Sequence, residues 1–553
     1  MPKEQIKKKE KNTSEILVEC LGKHGVKYIF GVPGEENLTF LEAVRNSKIT
    51  FITTRHEQAA AFMASTFGRM TGKIGVALST LGPGATNLLT GVAYAQLGGF
   101  PLLLITGQKA IKKSKQGKFQ IVDIVSVMKP ITKYSASIVS ANRVATMAHD
   151  AIRLAETERP GAVHLELPED IAEEICHAKP FSNPQSTKTL ASPKAIALAL
   201  GEIEKSKHPL IILGAGANRQ PIRHTFHAFL KKTGIPFVST QMGKGSANEN
   251  SPLYIGTTAL SGGDYVHQAL HHADVVIVIG HDVIEKPPII LNGKSCKVIH
   301  VHFYPSSFKD IYVPTHEVIG DIINTLQVFT RKIKINPAWD FNYFLKVRDV
   351  LKKDIANFTQ SAEFPLRPER IIADLGKVLP KDGMLTLDNG MYKLWIARNF
   401  KSRAQNSILL DNALATMGAG LPAGIALKIL YPNKQVIVVA GDGGIMMSLG
   451  DLETAVRLKI NLVVLILDDK CYGMIEWKQK NMKLASFGLS CNNPDFVMLA
   501  KSFGATGYKV RTAENLAKIL AQTLNAKGVH IIACPINYDK ANAILGSIKN
   551  KKV

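Results

Sequence analysis

The sequence predicts an α/β protein in which parallel sheets are flanked by helices. Short apolar runs rich in β-branched residues alternate with stretches of helical spacing along most of the chain, and this alternation is typical of parallel strands. The clearest example is the segment 436–479, where apolar runs at 436–440 and 462–467 flank a helical stretch at 449–458. A length of 553 residues is enough for about three domains of ordinary size.

Composition narrows the class of protein. Hydrophobic residues make up 46% of the chain and charged residues 20%, values typical of a globular protein. The net charge is +23, and lysines contribute part of it near both termini. The remaining basic residues are scattered and are not interleaved with aromatic residues. We therefore expect a solvated basic surface that favours anionic ligands, and no nucleic-acid partner.

The spacing of the cysteines and the N-terminal segment indicate the cellular compartment of the protein. The six cysteines, at positions 20, 176, 296, 471, 491 and 534, have no paired metal or redox spacing, which is typical of reduced thiols. The first residues lack the apolar segment of a secretory signal, and no apolar run approaches the length of a membrane span. These features predict a cytoplasmic protein with no membrane partner.

Acidic residues mark the strand ends of the segment 436–479. Gly441-Asp442-Gly443-Gly444 follows the first apolar run, and Asp469 follows the second. In a strand–helix–strand unit with a right-handed crossover, both carboxyl ends lie at the edge of the sheet where ligands bind. Two carboxylates beside a glycine-rich loop suit Mg²⁺ together with a phosphate group, whereas a Gly-Asp-Gly alone is often only a turn.

This segment resembles the diphosphate and Mg²⁺ motif of the thiamine diphosphate enzymes. In that motif Gly-Asp-Gly precedes a polar pair, usually Asn-Asn, for which this chain has Asp468-Asp469. The resemblance implies that Asp442, Asp469 and the backbone carbonyl of Cys471 ligate the metal ion. An Asp at the second place followed by Tyr472-x-Met474 is similar to the FAD-independent catabolic acetolactate synthases. The resemblance extends over nearly the whole chain, from about residue 14 to residue 540.

A second motif of the same family lies near the N-terminus. Residues 55–63, Arg-His-Glu-Gln-Ala-Ala-Ala-Phe-Met, resemble a signature in which a Glu contacts the pyrimidine ring of the cofactor. A Glu in the first turn of a helix is also a common partner of the helix dipole. The resemblance implies that Glu57, facing an apolar pocket, drives the cofactor tautomer that takes the proton from thiazolium C2. Further cofactor contacts are expected from Pro33, Gly34, Gly82 and Asn87.

The C-terminal third of the chain supplies the other cofactor contacts that the resemblance implies. Asn389, Gly390 and Met391 form a candidate diphosphate-side loop after an apolar run at 384–387. Met417 stands where the family has a bulky apolar residue that wedges between the two cofactor rings, although an ordinary core Met would fit the same pattern. The remaining expected contacts surround the metal site: Gly441, Asp442, Gly443, Gly444, Asp469, Tyr472, Gly473 and Met474.

The candidate substrate pocket combines several segments. Phe119 and Gln120 match a substrate-side Phe-Gln of anabolic acetohydroxyacid synthases, and Met474 and Trp477 follow the metal ligands. A polar loop or simple core packing would explain the same residues. Glu35 departs from the acetolactate synthases and resembles the Gly-Val-Pro-Gly-Asp loop of pyruvate and indolepyruvate decarboxylases, but the comparable loop at 111–115 lacks their His-His pair. Glu57, Gln120 and Met417 are the expected catalytic residues.

The central domain is expected to be structural and free of FAD. Its Gly214-x-Gly216 is a weak dinucleotide signal, and the strand at 237–240 has no acidic residue at its end to hold a ribose. Residues 281–285 resemble the Gly-Tyr-Asp-x-Ile-Glu segment of the catabolic enzymes rather than the Arg-Phe-Asp-type segment of FAD-containing relatives. The expected organisation is a disordered tail (1–13), then three doubly wound parallel-sheet domains: pyrimidine-binding (14–180), central (193–335) and diphosphate/Mg-binding (366–540).

The resemblance implies an acetolactate synthase. Such an enzyme uses thiamine diphosphate and Mg²⁺ to decarboxylate pyruvate and join the product to a second 2-oxo acid, while the protein supplies position and electrostatics. Two alternatives stay open: a 2-oxo acid decarboxylase that does not ligate, favoured by Glu35, and a catalytically silent cofactor-binding protein. In this family the two halves of the cofactor are held by different subunits, which implies a homodimer or homotetramer with active sites between subunits.

Overall fold

The fold contains three six-stranded sheets, and the strands that pair within them are parallel throughout the described residues. The structure is a computed structural model that describes residues 10–112, 117–181, 188–260, 263–282, 284–285, 291, 296–307 and 312–548. The chain divides into two compact units, Met1–Ser186 and Thr187–Val553. Helices connect the strands, so the predicted α/β class with three doubly wound parallel sheets is confirmed.

The first unit contains the first sheet. Its strands are β1 (Tyr28–Gly31), β2 (Thr50–Thr53), β3 (Gly75–Ser79), β4 (Leu102–Gln108), β5 (Tyr134–Ser137) and β6 (Ala162–Pro168). They lie in the order β2-β1-β3-β4-β6-β5. The chain passes from β1 to β2 and then returns to β3 on the other side of β1. The loops after β1 and β3 therefore meet at the carboxyl edge, where doubly wound sheets bind ligands.

The helices of the first unit begin close to the N-terminus. They are α1 (Thr13–Lys23), α2 (Leu38–Arg45), α3 (Glu57–Thr71), α4 (Gly82–Asn87), α5 (Leu89–Gly98), α6 (Ile124–Met128), α7 (Val144–Glu156) and α8 (Glu169–Glu173). Asn12 caps α1, because its side chain accepts the Glu15 N–H and the Glu15 carboxylate accepts the Asn12 N–H. The predicted tail at 1–13 thus overlaps ordered chain at residues 10–13, and residues 1–9 lie outside the described residues.

The second unit contains the other two sheets. The second sheet has β7 (Pro209–Leu213), β8 (Phe237–Thr240), β9 (Tyr254–Thr258), β10 (Val275–Ile279), β11 (Lys297–His302) and β12 (His316–Ile319), in the order β12-β11-β10-β7-β8-β9. The third has β13 (Met384–Leu387), β14 (Ile408–Leu409), β15 (Val436–Gly441), β16 (Leu462–Asp468), β17 (Thr506–Lys509) and β18 (Val529–Pro535), in the order β14-β13-β15-β16-β18-β17. The strand order reverses between β7 and β10 and between β13 and β15.

Helices of the second unit connect and cover these two sheets. They are α9 (Pro193–Lys205), α10 (Ala215–Arg219), α11 (Arg223–Thr233), α12 (Tyr265–His272), α13 (Ile322–Lys332), α14 (Asn342–Ala356), α15 (Pro368–Val378), α16 (Met391–Asn399), α17 (Gly420–Leu430), α18 (Asp442–Met446), α19 (Leu452–Arg457), α20 (Gly473–Asn481), α21 (Phe496–Ser502), α22 (Asn515–Leu524) and α23 (Asp539–Ile548). In the part of the chain that the structure describes, no helix is both long and apolar enough to cross a membrane.

One hydrophobic core joins the second and third sheets. Leu210 and Val276 of the second sheet and Leu385 and Ile437 of the third belong to the same cluster of buried side chains. Strands of a parallel sheet are covered on both faces, so their residues are apolar almost without interruption. This is why the apolar runs at 384–387, 436–440 and 462–467 were visible in the sequence.

A buried ionic network also ties helices of the second unit together. Arg398, near the end of α16, donates to Asp264 at the N-terminus of α12 (Nε–Oδ2, 3.1 Å) and to Asp354 on α14 (Nη2–Oδ2, 2.7 Å). The guanidinium and the Asp264 carboxylate are almost fully buried. Each charge is therefore compensated within the protein rather than by water.

We expect Arg398→Ala to lower the free energy of unfolding of the second unit by about 3–5 kcal/mol, because two carboxylates lose their cationic partner. The matched control is Arg457→Ala, which removes the same side chain from an exposed pair with Glu453 and should cost less than about 1 kcal/mol. Urea unfolding followed by circular dichroism compares the two variants. Equal losses would contradict the role given to the Arg398 network.

Candidate active site

The first half-site lies at the carboxyl edge of the first sheet, in the first unit, and is built around Glu57. This residue begins α3, and His56 caps the helix by accepting the N–H of Gln58. The Glu57 side chain is 9% exposed, and its Oε2 accepts a hydrogen bond from Asn87 Nδ2 at 3.0 Å. The sequence predicted both residues separately, and the fold brings them together.

Thr80, which directly follows β3, packs against Gly34 in the loop after β1 and against Gly84. A side chain at Gly34 would overlap Thr80, and a Cβ at Gly84 would lie 2.9 Å from Thr80 Cγ2 and 3.1 Å from Glu57 Oε1. The missing side chain at Gly84 therefore leaves Oε1 uncovered on that side. Asn87 holds Oε2 of Glu57, and among the described residues no hydrogen bond to Oε1 is found.

Of the two acids that follow Gly34, only Glu36 is buried, while Glu35 is exposed. Glu36 accepts from Lys109 Nζ at 2.7 Å and from the Thr80 hydroxyl. Burial alone would raise the pKa of the Glu36 carboxyl, but the hydrogen bonds from Lys109 and Thr80 outweigh it and the pKa is lowered. Glu36 thus links the ends of β1, β3 and β4. The substrate role expected for Glu35 remains a prediction.

The loop that carries Phe119 and Gln120 reaches this half-site. Gly82 has φ of 44°, and a Cβ there would lie 2.5 Å from the Gln120 carbonyl oxygen. Only glycine tolerates both the left-handed conformation and this approach. Phe119 and Gln120 are themselves exposed, as is the expected cofactor contact Pro33. Substrate contact by Phe119 and Gln120 stays a prediction.

The second half-site lies in the second unit, between the carboxyl ends of β13, β15 and β16, and Asp442 is its most constrained residue. Asp442 begins α18 directly after β15, earlier than the helical stretch predicted at 449–458. Its Oδ1 accepts the N–H of Gly443 at 2.8 Å. Its Oδ2 accepts from the Lys470 N–H at 2.8 Å and from Asn493 Nδ2 at 2.6 Å. The carboxylate is 2% exposed, so its orientation is fixed.

Asp469 stands beside Asp442. Burial, and then repulsion from Asp442, raise the pKa of the Asp469 carboxyl to about 8. A side chain at Gly473 would overlap the Asp469 carboxylate, so the start of α20 leaves room for it. Two adjacent, mutually repelling carboxylates, of which Asp442 is buried and Asp469 half-buried, suit a hard divalent cation. The described residues contain no cluster of three or more His, Cys, Asp or Glu side chains that could hold a metal ion.

Asn493 is a member of this half-site that the sequence did not reveal. Its Nδ2 donates both to Asp442 Oδ2 and to Asp468 Oδ1, the latter at 2.8 Å. It comes from the segment before α21, which has no recognisable motif. Outer hydrogen bonds of this kind orient the ligands of a metal. The segment Lys470–Cys491 is anchored nearby by the Cys491 N–H, which donates to the Lys470 carbonyl.

Asp388 organises the opposite side of the second half-site. It is fully buried and accepts the N–H groups of Asn389 at 2.7 Å and of Gly418 at 2.9 Å. Burial raises the pKa of the Asp388 carboxyl to about 6, against the opposing effect of these hydrogen bonds. A Cβ at Gly444 would lie 3.1 Å from the Asp388 carboxyl carbon. In the sequence Asp388 directly follows the apolar run at 384–387 and opens the candidate diphosphate-side loop with Asn389, Gly390 and Met391.

Met417 lies on a loop held by two carboxylates. Asp388 binds the Gly418 N–H after it, and Asp411 accepts the N–H groups of Ala413 and Ala415 before it. The Met417 side chain is partly exposed, whereas a core methionine would be buried. A rigid loop that presents an apolar side chain at the edge of the sheet fits the wedge role, which stays a prediction.

The other expected contacts differ in how far their side chains are available to a ligand. The ring of Tyr472 lies against Gly443, and Asn389 is fixed by Lys393 and by the Thr416 carbonyl. Met391, by contrast, is a buried member of the hydrophobic core, so only its backbone is available to a ligand. Met474 and Trp477 are partly buried and pack against the same core. Gly390 lies just before α16, Gly441 ends β15, Gly443 and Gly444 lie in α18, and Gly473 begins α20. Each is therefore close in sequence to Asp388, Asp442 or Asp469.

Three family models match the chain. The N-terminal TPP binding domain of the thiamine pyrophosphate enzymes matches residues 11–127. Their central domain matches residues 196–329, and their C-terminal TPP binding domain matches residues 388–534. Together the matches cover more than half of the chain. The first half-site falls within the first match and the second half-site within the last.

Full-length relatives agree with these models. An acetolactate synthase of Bacillus subtilis (strain 168) is 31% identical over 554 residues, which cover 97% of this chain and 95% of the relative. A catabolic acetolactate synthase of Raoultella terrigena is 30% identical and is covered to 97%, as is this chain. A putative thiamine pyrophosphate-containing protein of the same Bacillus strain is 30% identical over 93% of this chain and 90% of its own length.

We expect Asn493→Ala to weaken Mg²⁺-dependent binding of thiamine diphosphate by about 10–100-fold, because Asp442 loses the bond that orients it. Asp442→Ala should abolish cofactor retention. The matched control is Asn492→Ala, an exposed neighbour of the same residue type. Titration of Mg²⁺ at saturating cofactor, followed by tryptophan fluorescence, measures the change. Unchanged metal affinity in Asn493→Ala, or full cofactor content in Asp442→Ala, would contradict the site.

Proposed function

Because this chain belongs to the thiamine pyrophosphate enzymes, we propose that it is an acetolactate synthase that converts pyruvate and a second 2-oxo acid into 2-acetolactate or its homologue. The observation that favours this product is the similarity to acetolactate synthases over 97% of the chain. The arrangement of Glu57 and Asn87 and the Asp442–Asp469 pair supports catalysis rather than silent cofactor binding.

The proposed roles in the second half-site follow from its charges. Asp442, Asp469 and the backbone carbonyl of Cys471 would hold Mg²⁺, which carries the diphosphate of the cofactor. When bound, thiamine diphosphate supplies the carbanion that adds to the keto carbon of a 2-oxo acid and allows CO₂ to leave. The segments 389–391 and 441–444 would position the diphosphate, and Met417 would contact the two rings of the cofactor.

Glu57 would hold the proton at the pyrimidine ring nitrogen. A buried carboxyl with one oxygen occupied by Asn87 can donate and take back a proton at the other oxygen. A proton held there by Glu57 would support the proton transfer that activates the bound cofactor, whose own pyrimidine ring would supply the base. The fixed start of α3 and the uncovered Oε1 support this role.

Residues near each half-site would select the acceptor, which is the second 2-oxo acid. Gln120 and Phe119 on the exposed loop, Glu35 after β1, and Met474 and Trp477 on α20 are the proposed substrate contacts. The exposed position of Phe119 and Gln120 beside Gly82 supports contact with a substrate that approaches from outside. Glu35 favours the alternative function, a decarboxylase that releases aldehyde.

We also propose a cytoplasmic homodimer or homotetramer that needs no FAD. Apolar side chains next to the second half-site are exposed, including Met446, Met447, Ile475 and Phe487, and such patches are typical of interaction surfaces. All six cysteines are free thiols, as expected for a reducing compartment.

Product identification tests the proposed activity. Purified protein with Mg²⁺ and thiamine diphosphate is incubated with pyruvate alone and with pyruvate plus 2-oxobutyrate, and the products are separated by mass spectrometry. Acetolactate in the first mixture and a mixed product in the second are expected. Acetaldehyde alone would identify a decarboxylase, and cofactor binding without any product would identify a silent protein.

We expect Glu57→Gln to lower turnover by at least about 10²–10⁴-fold while cofactor binding stays within a few-fold of wild type, because Gln keeps the size but cannot cycle a proton. Hydrogen–deuterium exchange at cofactor C2, followed by NMR after acid quench, should slow in parallel. The control Glu42→Gln changes an exposed acid on α2 of the same unit and should leave both rates unchanged. Wild-type exchange in Glu57→Gln would refute the assignment.

We expect Gln120→Ala and Trp477→Ala to change the ratio of ligated product to released aldehyde and to leave C2 exchange unaffected, because both residues would contact the acceptor. Trp477→Phe, which preserves the packing against the core, should have the smaller effect. Product ratios are measured with pyruvate at equal cofactor saturation. Wild-type ratios in both alanine variants would mean that these residues serve only in packing and loop structure.

A further inference from the structure

The second sheet has a glycine loop at the place where dinucleotides bind to doubly wound sheets. The loop Gly214-Ala215-Gly216-Ala217 follows β7, and the strand order reverses between β7 and β10. In dinucleotide sites the N–H groups of such a loop point at the ligand phosphates. Whether this loop has free N–H groups therefore decides whether the central sheet can accept a phosphate.

Every N–H of this loop is already bonded within the protein. The Gly214 N–H donates to the Ile279 carbonyl, that of Gly216 to the Gly280 carbonyl at 2.7 Å, and that of Ala217 to the Gly214 carbonyl. The Ala215 N–H donates to the Glu285 carboxylate, Oε1, at 2.7 Å. No N–H of the four is left for a ligand phosphate.

Glu285 also accepts hydrogen bonds from residues at the end of the neighbouring strand, β8. Its Oε2 accepts the Met242 N–H at 3.3 Å, and the Thr240 hydroxyl donates to the same carboxyl group. The side chain is 3% exposed, and this burial raises the pKa of the Glu285 carboxyl to about 7. A single acid therefore takes the donors at the ends of both β7 and β8.

The loops after β7 and β10 also pack closely against each other. A side chain at Gly214 would overlap the His281 backbone, and one at Gly280, whose φ is 63°, would overlap the Ala217 backbone. The loops after β7 and β10 thus touch each other through their main chains. A phosphate at the Ala215 and Met242 N–H groups would need the space that the Glu285 carboxylate fills.

We propose that Glu285 is an internal anion that occupies the phosphate position of the second sheet and thereby excludes flavin and other dinucleotides. Its two carboxyl oxygens accept from the donors that a phosphate would use and fill the space in which a phosphate would lie. Glu285 is thus a specificity-determining residue of the central domain. The proposal does not depend on acetolactate formation, because ligand binding and thermal stability test it without turnover.

The test compares wild type with Glu285→Ala and with Glu249→Ala. Glu249 is an equally buried acid of the same unit that pairs with Lys244. FAD and ADP are the probes, and binding is measured by calorimetry. We expect no binding to wild type or Glu249→Ala and at least a tenfold gain in affinity for Glu285→Ala. Acetate, compared with chloride at equal ionic strength, should raise the melting temperature of Glu285→Ala only.

Two results would overturn the proposal: FAD or ADP binding to wild type as tight as to Glu285→Ala, or a folded Glu285→Ala variant that gains neither ligand binding nor stabilisation by acetate. If Glu285→Ala does not fold, amide hydrogen exchange of the wild-type protein tests the proposal instead. The Ala215 and Met242 amides should exchange slowly because they are bonded to Glu285, and rapid exchange of both would refute the proposal.

Discussion

The Asp442 carboxylate is the constraint on which the second half-site depends. Three donors fix it: the N–H groups of Gly443 and Lys470 and the side chain of Asn493. They come from the start of α18, from the end of β16 and from the segment before α21. These segments meet at one point only because β15 and β16 are neighbours in a parallel sheet. A carboxylate fixed in this way can present its charge to a cation without losing further conformational freedom.

The three sheets share one topological feature, a reversal of strand order, but the residues at that position serve different purposes. Each reverses its strand order near the middle, and in each a buried carboxylate lies at the carboxyl edge of that position. Glu36 links loops of the first sheet, Glu285 fills the second, and Asp388 and Asp442 frame the third. The carboxylates differ in their partners. Glu36 has the Lys109 ammonium and Glu285 has only neutral donors, whereas Asp442 has a second carboxylate, Asp469, beside it. Of these three arrangements, the Asp442–Asp469 pair is the one that suits the proposed cation.

The sequence predicted what depends on local pattern and missed what depends on tertiary contact. Buried strands such as β3, β13 and β15 appear as apolar runs, while the edge strands β5, β14 and β17 are short or half-exposed and carry no such run. His300, His302 and His530 interrupt the pattern of the inner strands β11 and β18. Among site residues, Glu57, Asp442 and Asp469 stand in recognisable motifs. Asn493 and the Glu36–Lys109 pair do not, because their partners lie far away in sequence and only the fold brings them close.

The proposed function depends most on Asp442 and Asp469, which would hold a divalent cation for a diphosphate. A crystal grown with thiamine diphosphate and Mn²⁺ tests it directly, because manganese has an anomalous signal. We expect an anomalous peak about 2.1–2.2 Å from an oxygen of Asp442, an oxygen of Asp469 and the Cys471 carbonyl oxygen. Oxygens of the diphosphate should complete the coordination. Bound cofactor with no peak at these oxygens, or with the peak on other side chains, would contradict it.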